Sequence, residues 1–285
     1  MTLFDADDAW PLWSEGEPDA ATAFDCDPAP GSATGMVVTA VRAPWLFGYR
    51  PARPNGRAML VLAGGGYTQL MVGREGIAVA LWLAGLGYHA FVLVHRFPDA
   101  LHGPSAAFDD AAAAMRMIRG QGAAPAGLGV LGLSSGGHLA ASLAAVPPTG
   151  WATPPSRFAD LPVRPDVLVV GYAPISTNAK GRTIVADKPP LPPVEKQAMY
   201  DVLQPDALLA PSPPPTFIVY AGNDPVVPVE NAHRLYAAVQ AAGGAAELHI
   251  FTDAPHGFAL DTAEGPVRLW PDLCAAWLAQ VGFAD

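Results

Sequence analysis

The sequence predicts an α/β protein: a mostly parallel central sheet flanked by helices on both faces. Three observations carry that prediction. From residue 58 onward, short apolar runs of strand length alternate with longer stretches of helical character. The runs are apolar at nearly every position rather than at every second one, which is the pattern of strands buried on both faces. Hydrophobic residues make up 51% of the 285 positions, enough for a sizeable core, and the length suits one large domain spanning 1–285.

Taken in order, residues 1–34 are acidic, rich in Pro, Gly and Ala, and too irregular for a helix or strand. They read as an N-terminal arm on the domain surface, anchored by Trp10 and Trp13 of Trp-Pro-Leu-Trp. From Met36 to Tyr49, β-branched and aromatic residues alternate well enough for two antiparallel strands, and residues 51–56 then form a turn. Buried strands follow at Ala58–Leu62, His89–Val94, Gly127–Leu131, Asp166–Val170, Thr216–Tyr220 and Glu247–Phe251. Helical stretches lie at Glu75–Leu86, Phe108–Arg119, Gly137–Ala145, Val229–Ala242 and Val267–Val281. Residues 177–215 break the alternation with two proline clusters around one short helix at Glu195–Leu203. Proline at that density removes ladder and helix donors, so this stretch reads as a lid-like insertion, an irregular excursion over the strand ends.

Composition excludes several classes of function. The chain has 26 acidic against 16 basic residues, a formal charge of −10, and no Lys/Arg cluster, so nucleic acid and anionic membrane surfaces are not expected partners. No apolar run reaches transmembrane length. Met1 to Asp8 carries acids where a signal peptide would be basic and then apolar, which predicts a cytoplasmic protein unless a leader has been trimmed. Cys26 and Cys274 lie far apart without metal-ligand spacing, so no zinc site, disulfide framework or other cofactor is expected.

The chemistry converges on residues 130–140, Val-Leu-Gly-Leu-Ser-Ser-Gly-Gly-His-Leu-Ala. An apolar strand runs into an alanine-rich helix through Gly-x-Ser-x-Gly, the layout of a nucleophile elbow, with Ser134 exposed at the turn. Ser135 is the rival nucleophile, but Leu133 stands where its motif would need glycine. Three further features fall at predicted strand ends. Gly64-Gly65-Gly66-Tyr67 can aim backbone N–H groups of Gly65 and Gly66 at a developing oxyanion, together with the N–H of Ser135. Asp224 can orient a histidine, and His256 lies on the loop after the last strand. The order Ser134, Asp224, His256 is that of α/β-hydrolase triads. Of the other histidines, His89, His233 and His249 fall inside predicted elements, and His138 is expected to pack or bond locally. Tyr67, His95 and His102 are candidates for lining the substrate pocket. Asp253 is a rival of Asp224, but lies only three residues before His256 and reads as a turn residue.

These residues resemble a known family, the α/β-hydrolase fold carbohydrate esterases of the acetylxylan esterase and acetyl esterase type, related to hormone-sensitive-lipase-like esterases. The marks are Pro11 to Trp13, Gly64 to Tyr67, Arg74-Glu75-Gly76, Gly132 to Ala141, Pro214 to Ile218, Asp224 with Val227-Pro228, and His256 to Phe258. The resemblance implies an acyl-enzyme on Ser134 and the release of a short acyl group, acetyl first among them, from a sugar or small alcohol. Two departures stand out: Ala63 replaces the Pro or His usual before the glycines, and His95 precedes Arg96 where tyrosine is common. The 177–215 segment matches no pattern of the family. Alternatives on the same triad are a feruloyl-type esterase, an aryl-formamidase or a peptidase, and a non-catalytic binding domain is the alternative of another class.

Overall fold

The computed structural model describes residues 3–13, 19–27, 35–148, 151, 158–176, 178, 184, 189–262 and 264–284. Ten strands are present among them: β1 Asp8–Pro11, β2 Phe24–Asp27, β3 Val37–Val41, β4 Trp45–Tyr49, β5 Ala58–Leu62, β6 His89–Val94, β7 Leu128–Leu133, β8 Leu168–Gly171, β9 Thr216–Ala221 and β10 Ala246–Phe251. The helices are α1 Ala20–Ala23, α2 Ala78–Gly85, α3 Ala106–Gly120, α4 Ser135–Ser142, α5 Val194–Val202, α6 Pro205–Leu208, α7 Glu230–Ala241 and α8 Trp270–Gln280. Eight strands form one sheet in the order β1-β4-β6-β5-β7-β8-β9-β10. From β6 across to β10 every pairing is parallel, while β4 and β1 join at the other edge antiparallel. The architecture is the mostly parallel, helix-flanked sheet expected from the alternating runs, and it matches the α/β-hydrolase fold that the resemblance implies.

The central strands β5, β7, β8 and β9 are buried at every position, which is why their sequences read as continuous apolar runs. Edge strand β10 is only partly buried and carries Glu247 and His249 among its apolar residues. Because the strands run parallel, their carboxyl ends lie along one rim, and the loops after β5, β6, β7, β9 and β10 meet there.

The amino-terminal region differs from expectation in two ways. The stretch read as irregular forms two short strands. β1 pairs with β4 at the sheet edge, and Pro11 is tolerated because an edge strand has one row of unpaired groups. The predicted strands at residues 36–49 exist but do not pair with each other. β3 pairs with β2 in a separate two-stranded sheet, and β4 joins the main sheet between β1 and β6. The tryptophans do anchor the segment. The Trp10 ring lies 5.1 Å from that of Phe91, and Trp13 Nε1 donates to Asp110 Oδ1 at 2.7 Å.

Asp110 is fully buried on α3 and also accepts from the Arg96 backbone N–H at 2.8 Å and from its guanidinium at 2.7 Å. The carboxylate thereby ties the arm, α3 and the loop after β6 together. Among the described residues no helix is long and apolar enough to cross a membrane. Removing one partner of a buried ion pair leaves the other charge uncompensated, so Asp110→Ala should destabilise the fold by about 3 kcal/mol in urea denaturation. A change under about 1 kcal/mol would remove this tie from the account.

Candidate active site

Strand β7 ends at Leu133, and Ser134 turns the chain into α4 with φ 51° and ψ −125°, a conformation disfavoured for a side-chain-bearing residue. The strain persists because the neighbouring backbones fix it. A Cβ at Gly136 would stand 2.0 Å from the carbonyl oxygen of Leu62, and one at Gly132 would stand 2.2 Å from that of Gly136. No side chain could relieve either contact, so the two glycines of the motif are required by the approach of β5 and α4.

Ser134 Oγ lies 3.1 Å from His256 Nε2, and His256 Nδ1 lies 2.7 Å from Asp224 Oδ2. With Nδ1–H donating to the carboxylate, Nε2 is left to accept the serine proton. The other carboxylate oxygen, Asp224 Oδ1, accepts the amides of Val226 and Val227 at 2.8 and 2.9 Å. Burial works to raise the Asp224 carboxyl, but the hydrogen bond from His256 and those two amides outweigh it and hold the group below its ordinary value. Asp253 sits elsewhere, accepting from Asn223 Nδ2 at 2.6 Å.

The three amides proposed from sequence as oxyanion donors are not equivalent. Gly66 N–H already donates to Ser135 Oγ at 2.9 Å. The Gly65 amide has no acceptor among the described residues, and Ser135, first in α4, has no intrahelical acceptor for its own. Gly65 has φ 137°, and a Cβ there would fall 2.1 Å from the Gln69 carbonyl oxygen, so only glycine permits this turn. The remaining amide of the turn, Gly64 N–H, donates to Glu75 Oε2 at 2.7 Å. Neither the Ser135 hydroxyl nor Glu75 was assigned this contact from sequence. The one available signal for Glu75 was the Arg74-Glu75-Gly76 match.

The three pocket candidates fare differently. Tyr67 is buried in the residue after the glycine turn, and its hydroxyl lies 2.8 Å from His138 Nδ1. His95 is buried too, its Nδ1 2.8 Å from the Arg96 carbonyl and its ring 6.0 Å from that of Tyr67. His102 is held in a turn by Asp99, 3.2 Å from Nδ1, and among the described residues no hydrogen bond or ring contact joins it to the other two. Burial lowers the His95 imidazole from its ordinary value.

His138 does more than the local role expected of it. Its Nε2–H donates to the Leu203 carbonyl at 2.9 Å, which leaves Nδ1 to accept from Tyr67. Leu203 ends α5, so one imidazole joins the glycine turn, the helix behind Ser134 and the proline-rich excursion. The predicted helix of that excursion is α5, and α6 follows it. Val146 N–H donates to the Leu208 carbonyl and Ala210 N–H to that of Ala144, so residues 203–210 lie along the end of α4. Of the excursion, residues 177, 179–183 and 185–188 are outside the described residues. Among the described residues no three His, Cys, Asp or Glu side chains are grouped to hold a metal ion.

Fold and elbow together define an α/β-hydrolase. The chain belongs to the alpha/beta hydrolase fold family, whose sequence profile matches residues 95–260. An acetylxylan esterase of Xylanibacter ruminicola is 27% identical over 231 residues, covering 75% of this chain and 43% of that protein. Endo-1,4-beta-xylanase B of Butyrivibrio fibrisolvens is 28% identical over 217 residues, covering 72% of this chain and 33% of that protein. The chain thus spans less than half the length of these curated relatives. Among solved structures, an acetyl ester-xyloside bifunctional hydrolase from Caldicellulosiruptor lactoaceticus superposes with a TM-score of 0.72 at 28% identity, covering 98% of both chains.

Burial pushes the His138 imidazole from 6.5 down to about 4, so the folded protein keeps it neutral where the unfolded chain would bind a proton. Stability from this group is complete above pH 6.5 and falls as the pH drops towards 4, by about 3 kcal/mol in all. The urea midpoint should therefore fall between about pH 7 and pH 5, and fall less in His138→Gln, which keeps a donor and an acceptor without titrating. An equal fall in both proteins would contradict the buried neutral imidazole.

Proposed function

We propose that the protein is a serine carboxylic-ester hydrolase that removes a short acyl group, acetyl in the first instance, from a carbohydrate or other small alcohol. The observation that carries the reading is the unbroken hydrogen-bonded series Ser134, His256, Asp224, set beside the Gly65 and Ser135 amides, which have no acceptor among the described residues. The acetylxylan esterase and acetyl ester-xyloside hydrolase relatives support the acyl group and the sugar class. The chain acts as one domain on a small-molecule or oligosaccharide ester.

In this mechanism Ser134 Oγ attacks the acyl carbon as His256 Nε2 takes its proton. Asp224 keeps the imidazole in the Nδ1–H tautomer and stabilises the imidazolium that forms. The Gly65 and Ser135 amides bind the oxyanion, and Gly66 N–H serves indirectly by fixing the Ser135 side chain. Collapse of the tetrahedral intermediate passes the imidazolium proton to the leaving alcohol. Water, activated by the same imidazole, then releases the acid and restores Ser134.

A fluorophosphonate probe should label the protein, and Ser134→Ala should abolish the labelling. Persistent labelling of that variant would overturn the nucleophile assignment. Across sugar and aryl esters of rising acyl length, kcat/KM should fall beyond about four carbons, since a site that takes a short acyl group gains nothing from methylenes it cannot bury. A steady rise with chain length would contradict the short-acyl reading, and exclusive turnover of feruloyl esters, aryl formamides or peptide amides would redirect it to those bonds.

A further inference from the structure

Glu75 is a buried carboxylate beside the site that the mechanism above leaves without a task. It lies in the π-helical turn Val72–Ile77 after the glycine loop and is only 4% exposed. Burying a carboxylate is costly unless hydrogen bonds replace its water, and here each oxygen has a donor. Oε2 accepts Gly64 N–H at 2.7 Å, and Oε1 accepts the Tyr172 hydroxyl at 3.1 Å. The first contact holds the loop that carries the Gly65 amide. The second leads towards His256.

Tyr172 follows β8 with φ 37°, and its ring meets that of His256 edge-on, 5.3 Å between centroids. The same hydroxyl accepts Ala259 N–H at 3.3 Å, three residues beyond His256 in its loop. Ala259 itself has φ 35°, so this loop is held in a disfavoured conformation by its partners. Arg74 grips the loop from outside. Its Nη2 donates to the Gly257 carbonyl at 3.1 Å while the guanidinium pairs with Asp261 at 2.6 Å. Two neighbouring residues of one turn therefore reach both polar ends of the site.

We propose that Glu75 is a positioning residue that couples the oxyanion turn to the histidine loop, through Gly64 N–H on one side and the Tyr172 hydroxyl on the other; the proposal rests on the serine-hydrolase reading. The carboxylate suits the task because it accepts at both oxygens. A glutamine of the same shape has one acceptor. With its oxygen kept on Gly64, its NH2 would face the Tyr172 hydroxyl, which already accepts from Ala259 and would lose its own acceptor. Glu75→Gln thus keeps the packing volume while breaking the coupling.

The test normalises kcat to active sites titrated with the fluorophosphonate and follows thermal unfolding in parallel. For an acetyl ester, kcat per titrated site should fall about tenfold to a hundredfold in Glu75→Gln with KM within about twofold, as expected for a contact that matters in the transition state. Tyr172→Phe should give a smaller loss of the same kind, and the double variant should be no worse than Glu75→Gln alone, since both interrupt one path. If Glu75→Gln does not accumulate as folded protein, Tyr172→Phe decides by the same criterion. A lowered Tm with wild-type kcat per titrated site would overturn the proposal and leave Glu75 a purely structural group. Wild-type protein that neither takes the label nor turns over any ester would overturn the hydrolase reading itself, a result distinct from a silent Glu75 variant of an active enzyme.

Discussion

The structure depends on how closely the start of α4 is packed against the end of β5. At Gly136 there is no room for a methyl group against the Leu62 carbonyl, and at Gly132 none against that of Gly136. This approach forces Ser134 to a positive φ and lifts its side chain off the sheet. It also brings the Gly64 loop against Ser134: a Cβ at Gly64 would stand 2.7 Å from that of Ser134. Ser134 and the amides proposed to bind the oxyanion are near neighbours because two parallel strands, β5 and β7, are hydrogen-bonded side by side.

Around that contact the remaining parts act as braces. The imidazole of His138 fixes the glycine turn to the excursion, and Glu75 fixes it to the histidine loop through Tyr172. Four residues with side chains hold positive φ near the site, namely Tyr67, Ser134, Tyr172 and Ala259. Each is an unfavourable backbone state held by a specific hydrogen bond or close approach, so local strain and the surrounding network are two sides of one arrangement. The same loops include Gly65 and Gly257, whose positive φ glycine adopts without cost.

Much of this was legible in the chain because the informative signals are local. Buried parallel strands announce themselves as apolar runs, and all six predicted from residue 58 onward are present, with β7 running two residues further than expected. Ser134, Asp224 and His256 stand in an order that only a strand-end topology makes meaningful, and the structure brings the three side chains into hydrogen-bond contact. What was not legible depends on pairing between distant segments. Nothing within Asp8–Pro11 marks a strand; β1 exists because β4 offers it an edge. The alternation at residues 36–49 revealed two strands but not that β2 would claim the first of them. The Ser135 hydroxyl was missed because its partner is a backbone amide, which leaves no trace in residue identity, and Glu75 because its partners, the Gly64 amide and the Tyr172 hydroxyl, are brought together only by the fold. Tyr67 and His95 were placed by their neighbourhood to strand ends, which said nothing of how deeply they would be buried.

The central claim is that an acyl group passes through the Ser134 oxygen. The most direct measurement is peptide mapping by mass spectrometry of protein quenched in acid during turnover of an acetylated sugar or aryl acetate. The account predicts an acetyl group on the peptide containing Ser134, absent when Ser134 is alanine and increased when deacylation is slowed by cold. Acetyl found on another residue, or ester turnover that persists unchanged in the alanine variant, would contradict it.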